Sequence, residues 1–462
     1  MAFYDGSRRT GRMFLRLTFF FSFLALVILA AAFYVVRKQE AYARRLTEIS
    51  ANAPVIYEPS LPATDMPEKK NYRYELPAPL TDSSPVGTAE QTQTPADTPV
   101  QDTHLAPEDL VATRAACGMT DEVIARIRQE QASLYYYAQL TEAEQTLYAE
   151  LYHIMTTLSQ DVYISATDTA SIEKVQGCVM NDHPEIFYIS GYYTTRYTIG
   201  DRTVGFSFSG RTIYDAQEIA SRNAQIDAYV RTCLAGAPQG DDYARVRYVY
   251  EYLIDRTSYL IDSPDNQNIC SVMMYGASVC QGYAKAAQLL LNRLGVRTTL
   301  VVGTVHTAET SGSHAWNLVL ADGNWYYLDV TWGDASFRSG ESVSAGTNYD
   351  YLLTTGADIS ATHTPQVPVA LPSCDHMEDN YYVREGAYFT EASLDLFSQL
   401  VERRRAEGAP SVTFKCANAE IYSQMVRTLI DESAVFDYIK KAPGETLSFS
   451  RSDETRSLTI WF

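Results

Sequence analysis

Cys280, His314 and Asp329 stand in that order within one short stretch of the chain and are the residue types that acyl transfer needs. A thiol can attack a carbonyl carbon. An imidazole takes the thiol proton and returns it to a leaving amine, and a carboxylate holds that imidazole in one tautomer. Each residue alone has a blander reading. A cysteine at a helix start is more often a small buried hydrophobe, a histidine in an aromatic strand more often packs in the core, and an aspartate after Tyr-Leu can merely cap a strand. The three in series, on elements able to bring them together, favour a triad.

Two elements must position the base and its carboxylate. His314-Ala-Trp-Asn-Leu-Val-Leu320 and Trp325-Tyr-Tyr-Leu-Asp-Val-Thr-Trp332 are rich in aromatic and β-branched residues, and Asp322-Gly323 between them signals a type I′ hairpin. A two-residue loop pairs Ala321 with Asn324 and Leu320 with Trp325, and the count runs on to Trp316 with Asp329 and His314 with Thr331. Side chains alternate faces, so His314, Trp316, Asp329 and Thr331 are predicted to share one face. Asp329 then lies diagonally across from His314, at about 7 to 8 Å between backbones, within reach of a carboxylate and an imidazole extended toward each other.

The nucleophile belongs to a third element. Gln281 to Leu294 has the periodicity of a helix, with Tyr283, Ala287, Leu290, Leu291 and Leu294 on one face and Gly295 as terminator. Cys280 sits at its N-terminal edge, where unpaired amides and partial positive charge favour a thiolate and can donate to an oxyanion. The helix dipole supplies at most about 2 kcal/mol. A strongly reactive thiolate therefore needs a second cation nearby, and His314 is the candidate.

Cys280-Gln-Gly-Tyr-Ala, His314-Ala-Trp-Asn and Asp329-Val-Thr-Trp-Gly-Asp334 resemble the core of the transglutaminase-like superfamily, in particular its bacterial membrane-linked or secreted members. The resemblance is strongest from Tyr250 to Tyr351, with a weaker likeness at Asn181-Asp-His-Pro-Glu-Ile-Phe-Tyr188. It implies an α+β, papain-like fold, in which a helix bearing cysteine packs on an antiparallel sheet bearing histidine and aspartate. It also implies acyl transfer through a thioester, with the triad on Cys280, His314 and Asp329; no cofactor or metal is expected. Gln281, Tyr283, Trp316, Asn317, Thr331 and Trp332 are the expected lining of the site. One departure is Gln281, since the animal cross-linking enzymes have an aromatic residue there, and no acidic cluster resembles their calcium sites. Hydrolysis of a peptide or amide bond is thus the leading reaction, ahead of transamidation. From a different class, a noncatalytic surface module would use the same cleft to bind a peptide or cell-wall glycan.

The rest of the chain suggests where such a body works. Leu17 to Val36 is an uncharged, almost wholly apolar run long enough to span a bilayer, with arginines on both flanks. A membrane anchor with a cytoplasmic N-terminus and an extracytoplasmic body is the favoured expectation. A cleaved signal peptide, with Ala30-Ala31-Ala32 at the cleavage site, is the rival. From Ala51 to Pro107 the chain carries ten of its eighteen prolines and lacks hydrophobic periodicity. Fully extended, such a tether reaches about 170 Å, which brings peptide, protein or cell-wall peptide substrates within range. The net charge of −19 argues against nucleic acid as a partner.

The expected division is a basic tail (1–16), the membrane helix (17–36), a helical extension and linker (37–112), a helical and β module (113–240), the catalytic core (241–375) and a small α+β domain (376–462). Within the first module, Ile186 to Ser209 reads as two or three strands and Tyr214 to Leu234 as helix. In the last domain, Asn380 to Phe389, Ser411 to Ala417, Thr446 to Ser450 and Ser457 to Phe462 read as strands, with helices at Glu391 to Arg405 and Ala419 to Lys440. Seven cysteines leave Cys280 free whether the other six bridge or stay buried as thiols. Cys374, His376, Glu378 and Asp379 fail zinc spacing rules. His306, at a strand end near the site, is the one histidine considered as a substitute for His314, and His183 reads as a loop residue.

Overall fold

The computed structural model describes residues 107–199, 202–307, 311–334, 347–441 and 447–462. All belong to one unit, Tyr72–Phe462. The expected membrane helix and most of the expected linker lie outside these residues. Among the described residues, no helix is long and apolar enough to cross a membrane.

The first module begins with helices α1 (Pro107–Ala116), α2 (Asp121–Gln131) and α3 (Glu142–Thr157), then β1 (Val162–Ile164), α4 (Thr169–Asp182), β2 (Ile189–Ile199), β3 (Arg202–Thr212) and α5 (Ala216–Gly236). Polar side chains start these helices where the sequence offers them. Thr141 and Glu144 form a reciprocal capping box at α3, and Asp168 and Asp215 cap α4 and α5. The strands form a sheet in the order β1-β3-β2. Gly191 and Gly205 lie inside strands rather than at turns.

The core follows as α6 (Asp242–Arg256), β4 (Ser258–Tyr259), α7 (Ile269–Tyr275), β5 (Ala277–Ser278), α8 (Cys280–Arg293), β6 (Thr298–His306), β7 (Ser311–Ala321), β8 (Asn324–Leu328), α9 (Val330–Gly333), α10 (Gly356–Ile359) and β9 (His363–Pro365). Its main sheet runs β8-β7-β6-β9 and is antiparallel throughout. Helix α8 is buried on nearly every side, from Cys280 through Leu291 with only Gln281 partly exposed. It is therefore a central helix rather than the one-faced helix that the apolar spacing suggests. Ala284 and Cys280 pack on Leu300, Val302 and Ala315 of the sheet.

The β7–β8 hairpin has the expected turn, with φ of 47° at Asp322 and 92° at Gly323, and the expected register from Ala321↔Asn324 to Asn317↔Leu328. There the second strand stops. The Asp329 carboxylate accepts the Trp332 amide at 3.1 Å, the Asp329 amide donates to the Tyr351 carbonyl at 3.0 Å, and the chain coils into α9. The close turn needs Gly333, because a Cβ there would overlap the buried Tyr250 hydroxyl. The extrapolated pairs Trp316–Asp329 and His314–Thr331 accordingly do not form. His314 instead faces Gly303 of β6.

The module before the core is fastened to it by buried hydrogen bonds. Gln288 of α8 donates to the Asn181 carbonyl at 2.7 Å, and the Tyr136 hydroxyl donates to the Leu300 carbonyl at 2.7 Å. Tyr136 and Tyr137 are buried, and Tyr135 sets its ring edge-on to Trp325. The tyrosine run is thus a packing joint.

The last residues form α11 (Tyr381–Arg384), β10 (Tyr388–Phe389), α12 (Leu394–Ala406), β11 (Ser411–Cys416), α13 (Ala419–Val426), α14 (Val435–Tyr438), β12 (Phe449–Ser452) and β13 (Ser457–Trp461), with the sheet order β10-β11-β13-β12. Two expectations fail here. Asn380 caps the Tyr382 amide at 3.1 Å and starts a helical turn in place of a strand. The long helix from Ala419 is broken by a π turn at Arg427–Asp431 and by Ser433, whose φ is 62°.

Candidate active site

Cys280 opens α8 immediately after β5, and Val279 is its N-cap. The three preceding helices are capped by Asp215, Asp241 and Asn268, whose side chains accept first-turn amides. Valine cannot do so, and α8 has no side-chain cap. A β-branched apolar residue thus leaves the amides beside the thiol without the usual side-chain acceptor. Cys280 is 9 % exposed.

His314 Nε2 lies 2.7 Å from Asp329 Oδ2. An ionised carboxylate only accepts, so Nε2 carries the hydrogen and Nδ1 is the nitrogen left for the thiol. The Cys280 thiol lies near enough to the ring to help raise its proton affinity. Burial alone would drive His314 toward neutrality. The Asp329 charge and hydrogen bond, with the contribution of Cys280, outweigh it and raise the imidazole to about 10. Burial works against Asp329 as well, yet the charge and hydrogen bond of His314 and the bond from His363 hold its carboxyl well below the usual range.

His363 is the residue that sequence reasoning missed. It opens β9, is 2 % exposed, and places Nε2 3.1 Å from the same Asp329 Oδ2. Its Nδ1 is 2.8 Å from Thr362 Oγ1. Burial and the neighbouring His314 lower its proton affinity against the pull of Asp329, so the ring is a neutral donor to the carboxylate. His306, the alternative weighed from sequence, is exposed at the far end of β6.

Aromatic rings enclose this network. Trp316 stacks on His314 at 6.0 Å between centroids and meets His363 edge-on at 5.0 Å, while Trp332 lies 4.6 Å from His363 and 5.7 Å from His314. Excluding water from one side strengthens the charge pairing. The other expected lining residues divide. Gln281 is partly exposed beside the thiol. Tyr283 is fully buried and donates to Asp334 Oδ2 at 3.0 Å, and Asn317 turns its amide to the Ala284 carbonyl of α8 at 2.9 Å. Both brace the helix and line no surface. Thr331 is buried in α9, and neither its hydroxyl nor the Trp316 indole N–H has a hydrogen-bond partner among the described residues.

His314, Asp329 and His363 bring three ligand-type atoms within 4.8 Å of one another. At 2.7 and 3.1 Å, however, the two nitrogens already share protons with one oxygen. Proton sharing explains the cluster without an ion. All seven cysteines are free thiols. Burial pushes Cys178, Cys374 and Cys416 up to about 12 and Cys233 to about 11, which makes those four poor nucleophiles. Cys374 is buried while His376 and Glu378 are exposed, so no metal site assembles there.

Residues 230–330 match the family model of the transglutaminase-like superfamily, a span that holds Cys280, His314 and Asp329. The chain carries a transglutaminase-like domain. Its structure is similar in part to a proposed cysteine protease from Cytophaga hutchinsonii, at 20 % identity and a TM-score of 0.22 over 24 % of this chain and 39 % of that one. It is also similar to a structure described as a TGase, at 15 % identity and a TM-score of 0.22 over 33 % and 53 %. A third is a proposed protease from Parabacteroides distasonis, at 10 % identity and a TM-score of 0.19 over 30 % and 40 %. The chain thus spans about half or less of the length of these neighbours. No curated protein matches it. His363 lies beyond the matched span of the transglutaminase-like domain.

Proposed function

We propose that the protein is a cysteine enzyme that cleaves or transfers peptide or amide acyl groups through a thioester on Cys280, with hydrolysis as its main reaction. The observation that carries this reading is the 2.7 Å bond from His314 to a buried Asp329, with Cys280 acting on the same imidazole. His314 Nδ1 holds the proton taken from the thiol, and sulfur attacks the carbonyl carbon. Negative charge gathers on the carbonyl oxygen, and the amide of Cys280 stabilises it. As the C–N bond breaks, His314 passes its proton to the departing amine. Water, or a second amine, then attacks the thioester with His314 as base and releases Cys280.

Gln281 and the lack of a recognisable calcium cluster favour water as acceptor. The substrate is a peptide, protein or cell-wall peptide, and the body is extracytoplasmic, held by Leu17 to Val36 and extended on the proline-rich tether. The test incubates the full-length chain with a library of labelled peptides, with and without a primary amine. New termini that disappear in Cys280→Ala support hydrolysis, and amine incorporation would make transfer the main reaction. Turnover undiminished in Cys280→Ala would refute the enzyme, and binding without turnover would leave a noncatalytic peptide or glycan module.

A further inference from the structure

We infer that His363 is a positioning residue of this site: a neutral imidazole that donates its Nε2 hydrogen to Asp329 and so locks the carboxylate that orients His314. The inference rests on the reading of Cys280 and His314 as nucleophile and base. Three observations carry it. Asp329 is fully buried and its carboxylate accepts three donors, Trp332 N–H on Oδ1 and the two imidazoles on Oδ2. A buried carboxylate that loses one donor keeps its desolvation cost and gains freedom to rotate away from the remaining partner. His363 is itself oriented, because Thr362 engages Nδ1 at 2.8 Å and leaves Nε2–H for Asp329. Its ring is also fixed by contact with Trp316, Trp332 and, at 5.9 Å, Tyr351.

The arrangement divides labour between two histidines on one oxygen. His314 exchanges protons with sulfur, and His363 exchanges none. The titratable groups that face His363 are Asp329 from the turn before α9, His314 from β7 and Tyr351 from the segment before α10.

The test measures the rate of Cys280 alkylation by iodoacetamide against pH in the full-length chain, read by mass spectrometry. This probe needs no substrate. The native chain should alkylate Cys280 faster near neutral pH than any of its six other cysteines. His363→Leu should lower the rate near neutrality about tenfold, the scale of a lost hydrogen bond to a buried charge, and move the acid limb to higher pH. His363→Gln retains an N–H donor near the Nε2 position and should recover most of the native profile. A native chain in which Cys280 reacts no faster than the other six cysteines would refute the triad reading itself. A native profile kept in a folded His363→Leu, or equal loss in Leu and Gln variants with matching thermal midpoints, would overturn the role of His363 alone.

Discussion

At the residue scale, Asp329 and His314 depend on each other for their charges. Asp329→Asn leaves the shape of the site but replaces a pure acceptor with an amide, which favours the wrong imidazole tautomer. Turnover should fall by about 10⁴-fold with circular dichroism unchanged. The pair also ties stability to pH. His314 is raised in the folded state to about 10, against about 6.5 when unfolded. Its contribution is therefore fully present below about pH 6.5 and is lost as pH rises through the folded value. Asp329 is depressed, so its contribution is present above about pH 4 and is lost on acidification. Urea midpoints between pH 6.5 and 10 should decline in the native chain, and part of that slope should vanish in His314→Ala. Cys280, His314 and Asp329, which the structure brings together, each sit in a strong local pattern. His363 was not legible in the sequence, since it comes 34 residues after Asp329 on a three-residue strand and its bond to the carboxylate is wholly tertiary.

At the element scale, the hairpin was readable because alternation and an Asp-Gly turn specify a register without help from elsewhere. Its end was not. The strand stops at Leu328 because Asp329 caps Trp332 and hydrogen-bonds Tyr351, the second of which lies 22 residues further along the chain. The periodicity of α8 was read correctly as helix, but its burial on all sides reflects neighbours that the periodicity does not encode. Gly303 shows how closely the elements meet. It faces His314 on one side and Pro365 on the other, and a Cβ would collide with the Thr364 carbonyl and approach Trp316. Backbone cannot give way as a flexible side chain can. Gly303→Ala should cost about 1 to 3 kcal/mol by overpacking, measured by urea unfolding, and should lower activity by more than the small unfolded fraction explains.

At the scale of the whole molecule, the last sheet is bound into the core by buried charge. Lys415 of β11 is fully buried and pairs with Asp358 of α10 at 3.0 Å, and Arg456 joins the same carboxylate. Asp350 accepts the hydroxyls of Tyr382, Thr455 and Ser457 at 2.7 to 2.8 Å. Asp358→Ala would strand a buried ammonium and should destabilise the chain by about 3 to 5 kcal/mol, seen in thermal or denaturant unfolding. The strands of this last sheet were largely readable, but nothing local marks the aspartates that moor it. Only a three-residue turn separates α10 from β9, so Asp358 precedes His363 by five residues. A pull on the last sheet would therefore reach, through the Lys415–Asp358 pair, the backbone just ahead of the histidine that bonds Asp329.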